Sequence, residues 1–129
     1  DLFHGYTYSG HPLACAAALA TLDIYAEENL FEKAIEIGQY WEDAIHSLKE
    51  LPNVVDIRNF GLIGAIELGA RDGKPGARGY DVFTKCFHEK DLLIRTTGDV
   101  IALSPPLILD RNHVDQIFSR ISEAIRETA

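Results

Sequence analysis

Two places in this 129-residue sequence carry residue types that could do chemistry. In the first, Gly5-Tyr6-Thr7-Tyr8-Ser9-Gly10-His11-Pro12 runs straight into an apolar, helix-prone stretch. Backbone N–H groups at a helix N-terminus have no intrahelical partner, and with the helix dipole they attract anions. A hydroxyl such as that of Thr7 could add a hydrogen bond to a phosphate oxygen. The alternative is that Thr7 or Ser9 only caps the turn. The second place is Arg95, which follows the apolar run Leu92-Leu93-Ile94. An arginine held at a strand end can fork onto a carboxylate. The alternative here is an ordinary charge on an edge strand.

Other chemistry finds less support. His4, His11, His46, His88 and His113 lie far apart, with no paired spacing and no accompanying Cys or carboxylate ligands, so no metal site is expected. Neither Cys15 nor Cys86 has a histidine partner in a recognisable nucleophile pattern. Both read as small core residues. No Gly-rich phosphate loop of the P-loop or dinucleotide type occurs. The segment 69–79 holds three cations, Arg71, Lys74 and Arg78, among glycines, and reads as a solvated surface loop.

The elements that must position these groups can be read from the pattern. Residues 1–11 form an extended lead-in with turn points at Gly5 and Gly10. Pro12 suits the first position of a helix. The run from Leu13 to Ala20 is small and apolar on every side, as expected of a helix sandwiched between other elements, and it should end near Glu27. Asn29 and Glu32 have the spacing of a capping box. Leu30, Ala34, Ile37, Trp41, Ala44, Leu48 and Leu51 then form one apolar face over about six turns, ended by Pro52-Asn53. Residues 54–57 and 62–68 read as strands around a turn at Asn59-Phe60-Gly61. Tyr80, Phe83, Cys86 and Phe87 mark a short helix. Residues 92–95 and 100–104 read as strands around Thr97-Gly98-Asp99. Asp110 caps a last helix whose face is Val114, Ile117, Ile121 and Ile125. The fold class is therefore α/β (α+β): a small, mostly antiparallel sheet with helices on one face, plus a long N-terminal helix.

Composition narrows the function classes. The hydrophobic fraction is 47% and the charged fraction 25%, too apolar for a disordered chain. The formal net charge of −8 argues against a nucleic-acid surface. No apolar run is long enough to span a membrane. Two cysteines are too few for a disulfide framework and fit a reducing compartment, read as the cytoplasm. The sequence contains no methionine and begins Asp-Leu-Phe, so it is expected to be a trimmed chain or a piece of a longer one.

The chemistry-bearing stretches also carry a family resemblance. Residues 4–17, HGYTYSGHPLACAA, resemble the class III pyridoxal-phosphate aminotransferases, the ω-aminotransferases. Leu93-Ile94-Arg95-Thr96-Thr97-Gly98-Asp99 and Leu103-Ser104-Pro105-Pro106-Leu107-Ile108 resemble the end of the same family. Arg71-Asp72-Gly73-Lys74-Pro75-Gly76-Ala77-Arg78 is similar to the ω-amino-acid–pyruvate (β-alanine–pyruvate) branch. The resemblance runs through all 129 residues in order.

It implies the C-terminal part of a fold-type-I transferase. Residues 1–29 would end the large cofactor-binding domain, and residues 30–129 would be the C-terminal small domain. It also implies a homodimer with its active site at the subunit interface. Thr7 would reach the neighbouring subunit's pyridoxal-phosphate phosphate, with Tyr6 lining the same place. Arg95 would receive the substrate carboxylate. The reaction would move an amino group from an ω-amino acid or amine to pyruvate. Family members attach the cofactor to a lysine upstream of the Thr7 motif. Lys33, Lys49, Lys74, Lys85 and Lys90 all lie downstream of it, so no catalytic residue is expected here and this chain alone should be inactive. A competing reading is a non-enzymatic α/β interaction or ligand-sensing module.

Overall fold

The computed structural model describes residues 5–129. The start of the lead-in, with His4, lies outside them. Four helices, a short 3-10 turn and four strands follow in the order α1 (Pro12–Glu27), α2 (Leu30–His46), the turn Ser47–Glu50, β1 (Val54–Phe60), β2 (Ile63–Leu68), α3 (Ala77–Glu89), β3 (Arg95–Thr97), β4 (Val100–Leu103) and α4 (Arg111–Glu127). The strands form one antiparallel sheet in the order β1-β2-β4-β3. The fold is the small antiparallel sheet with helices that the pattern predicts.

The register sorts the side chains by face. Ile57, Ile66, Ile101 and Thr96 pair across the four strands in one row. Ile66 and Ile101 in that row are fully buried. One residue along, Arg58, Ala65, Ala102 and Arg95 form the neighbouring row, on the opposite face because strand side chains alternate. Helices α2, α3 and α4 cover the isoleucine face, and Trp41, Ile45, Val82, Cys86, Val114 and Ile121 reach complete burial there. Trp41 meets Phe118 edge-to-face at 4.8 Å, a favoured aromatic geometry.

The helix predicted over residues 30–51 is real but ends sooner. It closes at His46, and the 3-10 turn carries Leu48 and Leu51 into the same core. The capping box expected from Asn29 and Glu32 does not form. Only Glu28 and Asn29 separate α1 from α2, so Asn29 reverses the chain in the left-handed conformation (φ 51°) and its side chain makes no cap hydrogen bond. At α4 the expected cap is present: the Asp110 carboxylate accepts the His113 N–H at 2.9 Å, and the His113 ring accepts the Asp110 N–H.

Strand boundaries shift by up to a few residues. β1 continues to Phe60, so the hairpin turn is Gly61-Leu62, with Gly61 at φ 56° as a two-residue hairpin requires. β3 begins at Arg95 rather than Leu92, and its turn to β4 is Gly98-Asp99. Helix α3 turns Gly79, Val82 and Cys86 to the core. Of the residues that mark this helix in the sequence, Tyr80 and Phe87 are exposed, and the rings of Tyr80, Phe83 and Phe87 lie in a row.

Helix α1 has the expected limits but not the expected surroundings. None of its residues is buried, and Leu13 is 76% exposed. Its packing is against α2, where Tyr25 meets Phe31 edge-on at 5.1 Å. Cys15, expected in a core, is therefore exposed, whereas Cys86 is buried as expected. Burial pushes the Cys86 thiol up to about 11, against an opposing pull from the Lys90 ammonium. In this chain Cys15 is expected to react at once with an aromatic disulfide reagent, and Cys86 only after denaturant is added. Absorbance of the released thiolate checks this, and two fast thiols would contradict the packing of α3.

Candidate functional site

Residues 7–10 form a turn, with the Ser9 N–H donating to the Tyr6 carbonyl at 3.1 Å and Gly10 at φ 75°. Tyr6, Thr7 and Tyr8 line a shallow depression, and all three are exposed. Neither Thr7 nor Ser9 caps α1. His11 does so, its Nδ1 accepting the Ala14 N–H at 3.4 Å. The Thr7 hydroxyl makes no hydrogen bond to any described residue, so it remains available as a donor. The helix end is a weaker anion site than the sequence suggests. Pro12 has no N–H and the Ala14 N–H is taken, which leaves that of Leu13 in the first turn.

Arg95 opens β3, an edge strand of three residues. It sits on the sheet face away from the helices, beside Ala102 and, two strands on, Ala65. These small side chains leave the guanidinium clear of neighbours. Arg95 makes no hydrogen bond or ion pair with any described residue, whereas Arg58, at the far end of the same row, binds Asp56 and Glu67 at 2.6 and 2.9 Å. Arg95 also borders a groove of about 450 Å³ whose walls are Trp41, Leu92 to Ile94, Ala102 to Pro106 and Ile117. Trp41 Nε1, at the buried end of that wall, has no partner among the described residues.

The loop 69–79 is solvated in its middle, where residues 72–75 are exposed, but two of its three cations are structural ties. Arg71 pairs with Asp81 and donates to the Thr128 carbonyl at 3.0 Å. Arg78 Nε donates to the Gly69 carbonyl at 2.7 Å. Asp99, read from sequence only as part of a turn, accepts the backbone N–H groups of Gly76 and Gly79 at 2.6 and 2.9 Å. Burial raises the Asp99 carboxyl, but the combined N–H donors of Gly79, Gly76 and Arg78 and the Arg78 charge outweigh it, so its pKa lies below the ordinary carboxylate value. A depressed carboxylate pKa stabilises the fold above pH about 4, and the contribution is lost as pH falls through the lower native value.

Thr7 and Arg95 border different concavities and are not brought together within one chain. Among the described residues no group of three or more His, Cys, Asp or Glu could hold a metal ion, and no helix is long and apolar enough to cross a membrane.

Comparison with known proteins gives this arrangement its family. The model for aminotransferase class III matches residues 1–125. The chain belongs to that family. An omega-aminotransferase of Caulobacter vibrioides is 56% identical over 97% of this class III aminotransferase chain and 28% of its own length. A beta-alanine–pyruvate aminotransferase of Pseudomonas aeruginosa is 40% identical over the whole chain and 29% of its own length. Among solved structures, a thermostable omega transaminase from Pseudomonas jessenii superposes with a TM-score of 0.85 at 35% identity, over all of this chain and 30% of that one. This aminotransferase chain thus spans less than a third of the length of the curated relatives it matches.

Proposed function

We propose that this chain is the C-terminal segment of an aminotransferase that uses pyridoxal 5′-phosphate to move an amino group from an ω-amino acid or amine to pyruvate. The donor leaves as the corresponding carbonyl compound and pyruvate as alanine. The observation that carries the reading is the 40–56% identity, over 97–100% of the chain, to relatives named omega-aminotransferase and beta-alanine–pyruvate aminotransferase. The free guanidinium of Arg95 adds chemical sense, because both pyruvate and an ω-amino acid bring a carboxylate that a fork of N–H donors can bind in register.

The residues present fit one edge of the cofactor. The unpaired Thr7 hydroxyl suits a phosphate oxygen, and exposed Tyr6 borders the same depression. When bound, the cofactor supplies the electron sink that the protein's side chains lack. Lys85 and Lys90 are held in ion pairs with Glu89, Glu123 and Glu127 on the far ends of α3 and α4, which suits a structural role and supports the view that the cofactor lysine lies in another part of the protein. The separation of Thr7 from Arg95 agrees with a homodimer in which each subunit gives Thr7 to its partner's site. Residues 1–29 would then belong to the large domain and residues 30–129 to the small one, in line with burial that begins at Leu30. Two free thiols suit the cytoplasm.

The test compares the complete protein with this chain alone. The complete protein is expected to hold the cofactor through dialysis, with its visible absorbance, and to protect Cys15 from thiol reagents. This chain alone is expected to do neither. Retention of the cofactor by the isolated chain would contradict the assignment.

A further inference from the structure

We infer that Asp99 is a positioning residue for Arg95, fixing the β3–β4 hairpin against the start of α3 so that the guanidinium is presented at one place. The inference rests on the reading of Arg95 as a carboxylate anchor and deepens it. Strand β3 is three residues long, lies at the sheet edge and is hydrogen-bonded only to β4. No described strand pairs with its outer edge; α3 packs against it and the Leu92 N–H holds the chain before it to the Cys86 carbonyl, so the turn that joins it to β4 is the tie on its other end. Asp99 ties that turn at three points. Its two carboxylate oxygens accept from Gly76 and Gly79, and its carbonyl accepts the Leu68 N–H at 2.9 Å.

The turn and the helix end meet backbone to backbone. A Cβ on Gly79 would stand 2.3 Å from the Gly98 carbonyl oxygen and 3.0 Å from the Asp99 Cα. That approach is open only to glycine. Helix α3 brings no cap of its own, since Gly76 occupies the cap position without a side chain. A carboxylate reaching in from another element therefore fills the role, favoured by the helix dipole and by charge-assisted hydrogen bonds. The contact joins α3, β2 and the hairpin at the end of the strand that begins with Arg95.

A carboxylate that only capped α3 would affect stability and treat all substrates alike. The positioning role affects substrates with a carboxylate selectively. The experiment uses the complete enzyme, loaded with cofactor and a neutral amine donor. Pyruvate and an uncharged aldehyde serve as alternative acceptors, and inhibition by propionate is measured alongside. Asp99→Ala is expected to raise KM for pyruvate and the propionate inhibition constant roughly tenfold, with KM for the aldehyde changed less than about twofold. Asp99→Asn keeps the shape and one acceptor, and is expected to fall between Asp99→Ala and the parent, which keeps the test open if Asp99→Ala does not fold. Parallel changes for both acceptors, or none, while Arg95→Ala still separates them would overturn the inference. If Arg95→Ala itself fails to separate the acceptors, the carboxylate-anchor reading falls and the inference with it.

Discussion

Replacing Arg95 by alanine should lower kcat/KM for pyruvate in the complete enzyme by roughly 30- to 150-fold. That corresponds to about 2–3 kcal/mol for charge-assisted hydrogen bonds to a carboxylate. The same substitution should leave kcat/KM for an uncharged acceptor within about threefold, because no charged group is then left without its partner. The asymmetry follows from the surroundings of Arg95. It forms no ion pair with any described residue and stands over alanines on an open sheet face, so its removal breaks no internal contact. Arg95→Lys should recover part of the loss, since an ammonium keeps the charge but not the planar fork. Steady-state kinetics with both acceptors check this, and equal losses for the two would count against the role.

The largest effect on stability is expected at Trp41. Its side chain is fully buried, meets Phe118 at 4.8 Å and lies over the middle of the sheet, close to Gly64. Truncation to alanine removes the whole indole and leaves a cavity that helices packed on a sheet cannot close, for a loss of about 3–5 kcal/mol. Trp41→Phe should cost much less. It keeps most of the apolar contact and removes the indole N–H that has no partner among the described residues, a group whose burial is itself unfavourable by about 1–3 kcal/mol. Equilibrium urea denaturation gives both values. A phenylalanine variant as unstable as the alanine variant would show that the N–H is satisfied in solution and contributes to the fold.

Elements governed by local periodicity were legible in the sequence. The 4–3 spacing from Leu30 through Trp41 to Ala44 places the inward side of α2, and Asp110 marks the start of α4 because its cap partner His113 is three residues away. Distant contacts were not legible. Asp99 meets Gly76 and Gly79 across 23 and 20 residues, and Arg71 meets the Thr128 carbonyl across 57. No local pattern announces such pairs, so charged loop residues read as solvated when they are structural ties. Tyr80, Phe83, Cys86 and Phe87 mark the helix α3 but not its core face, where Gly79, Val82 and Cys86 are the buried residues. Asn29 shows why a capping motif needs room: two residues between helices force a left-handed turn, and the box cannot close.

The candidate residues stand out in the sequence for a different reason. Thr7 and Arg95 were singled out by residue type next to a helix start and a strand end, and both are exposed and without hydrogen bonds to described residues. The chain's membership of the class III aminotransferases favours the enzyme reading over a stand-alone sensing module, and the shared role proposed for Thr7 and Arg95 rests on that reading.

The most direct test of that purpose is alanine formation by the complete protein, loaded with cofactor and given pyruvate with β-alanine or a simple primary amine. The expected result is alanine produced in step with loss of the donor, dependent on pyruvate and sharply reduced by Arg95→Ala. Cofactor-loaded protein that forms no alanine from pyruvate with either donor would contradict the account.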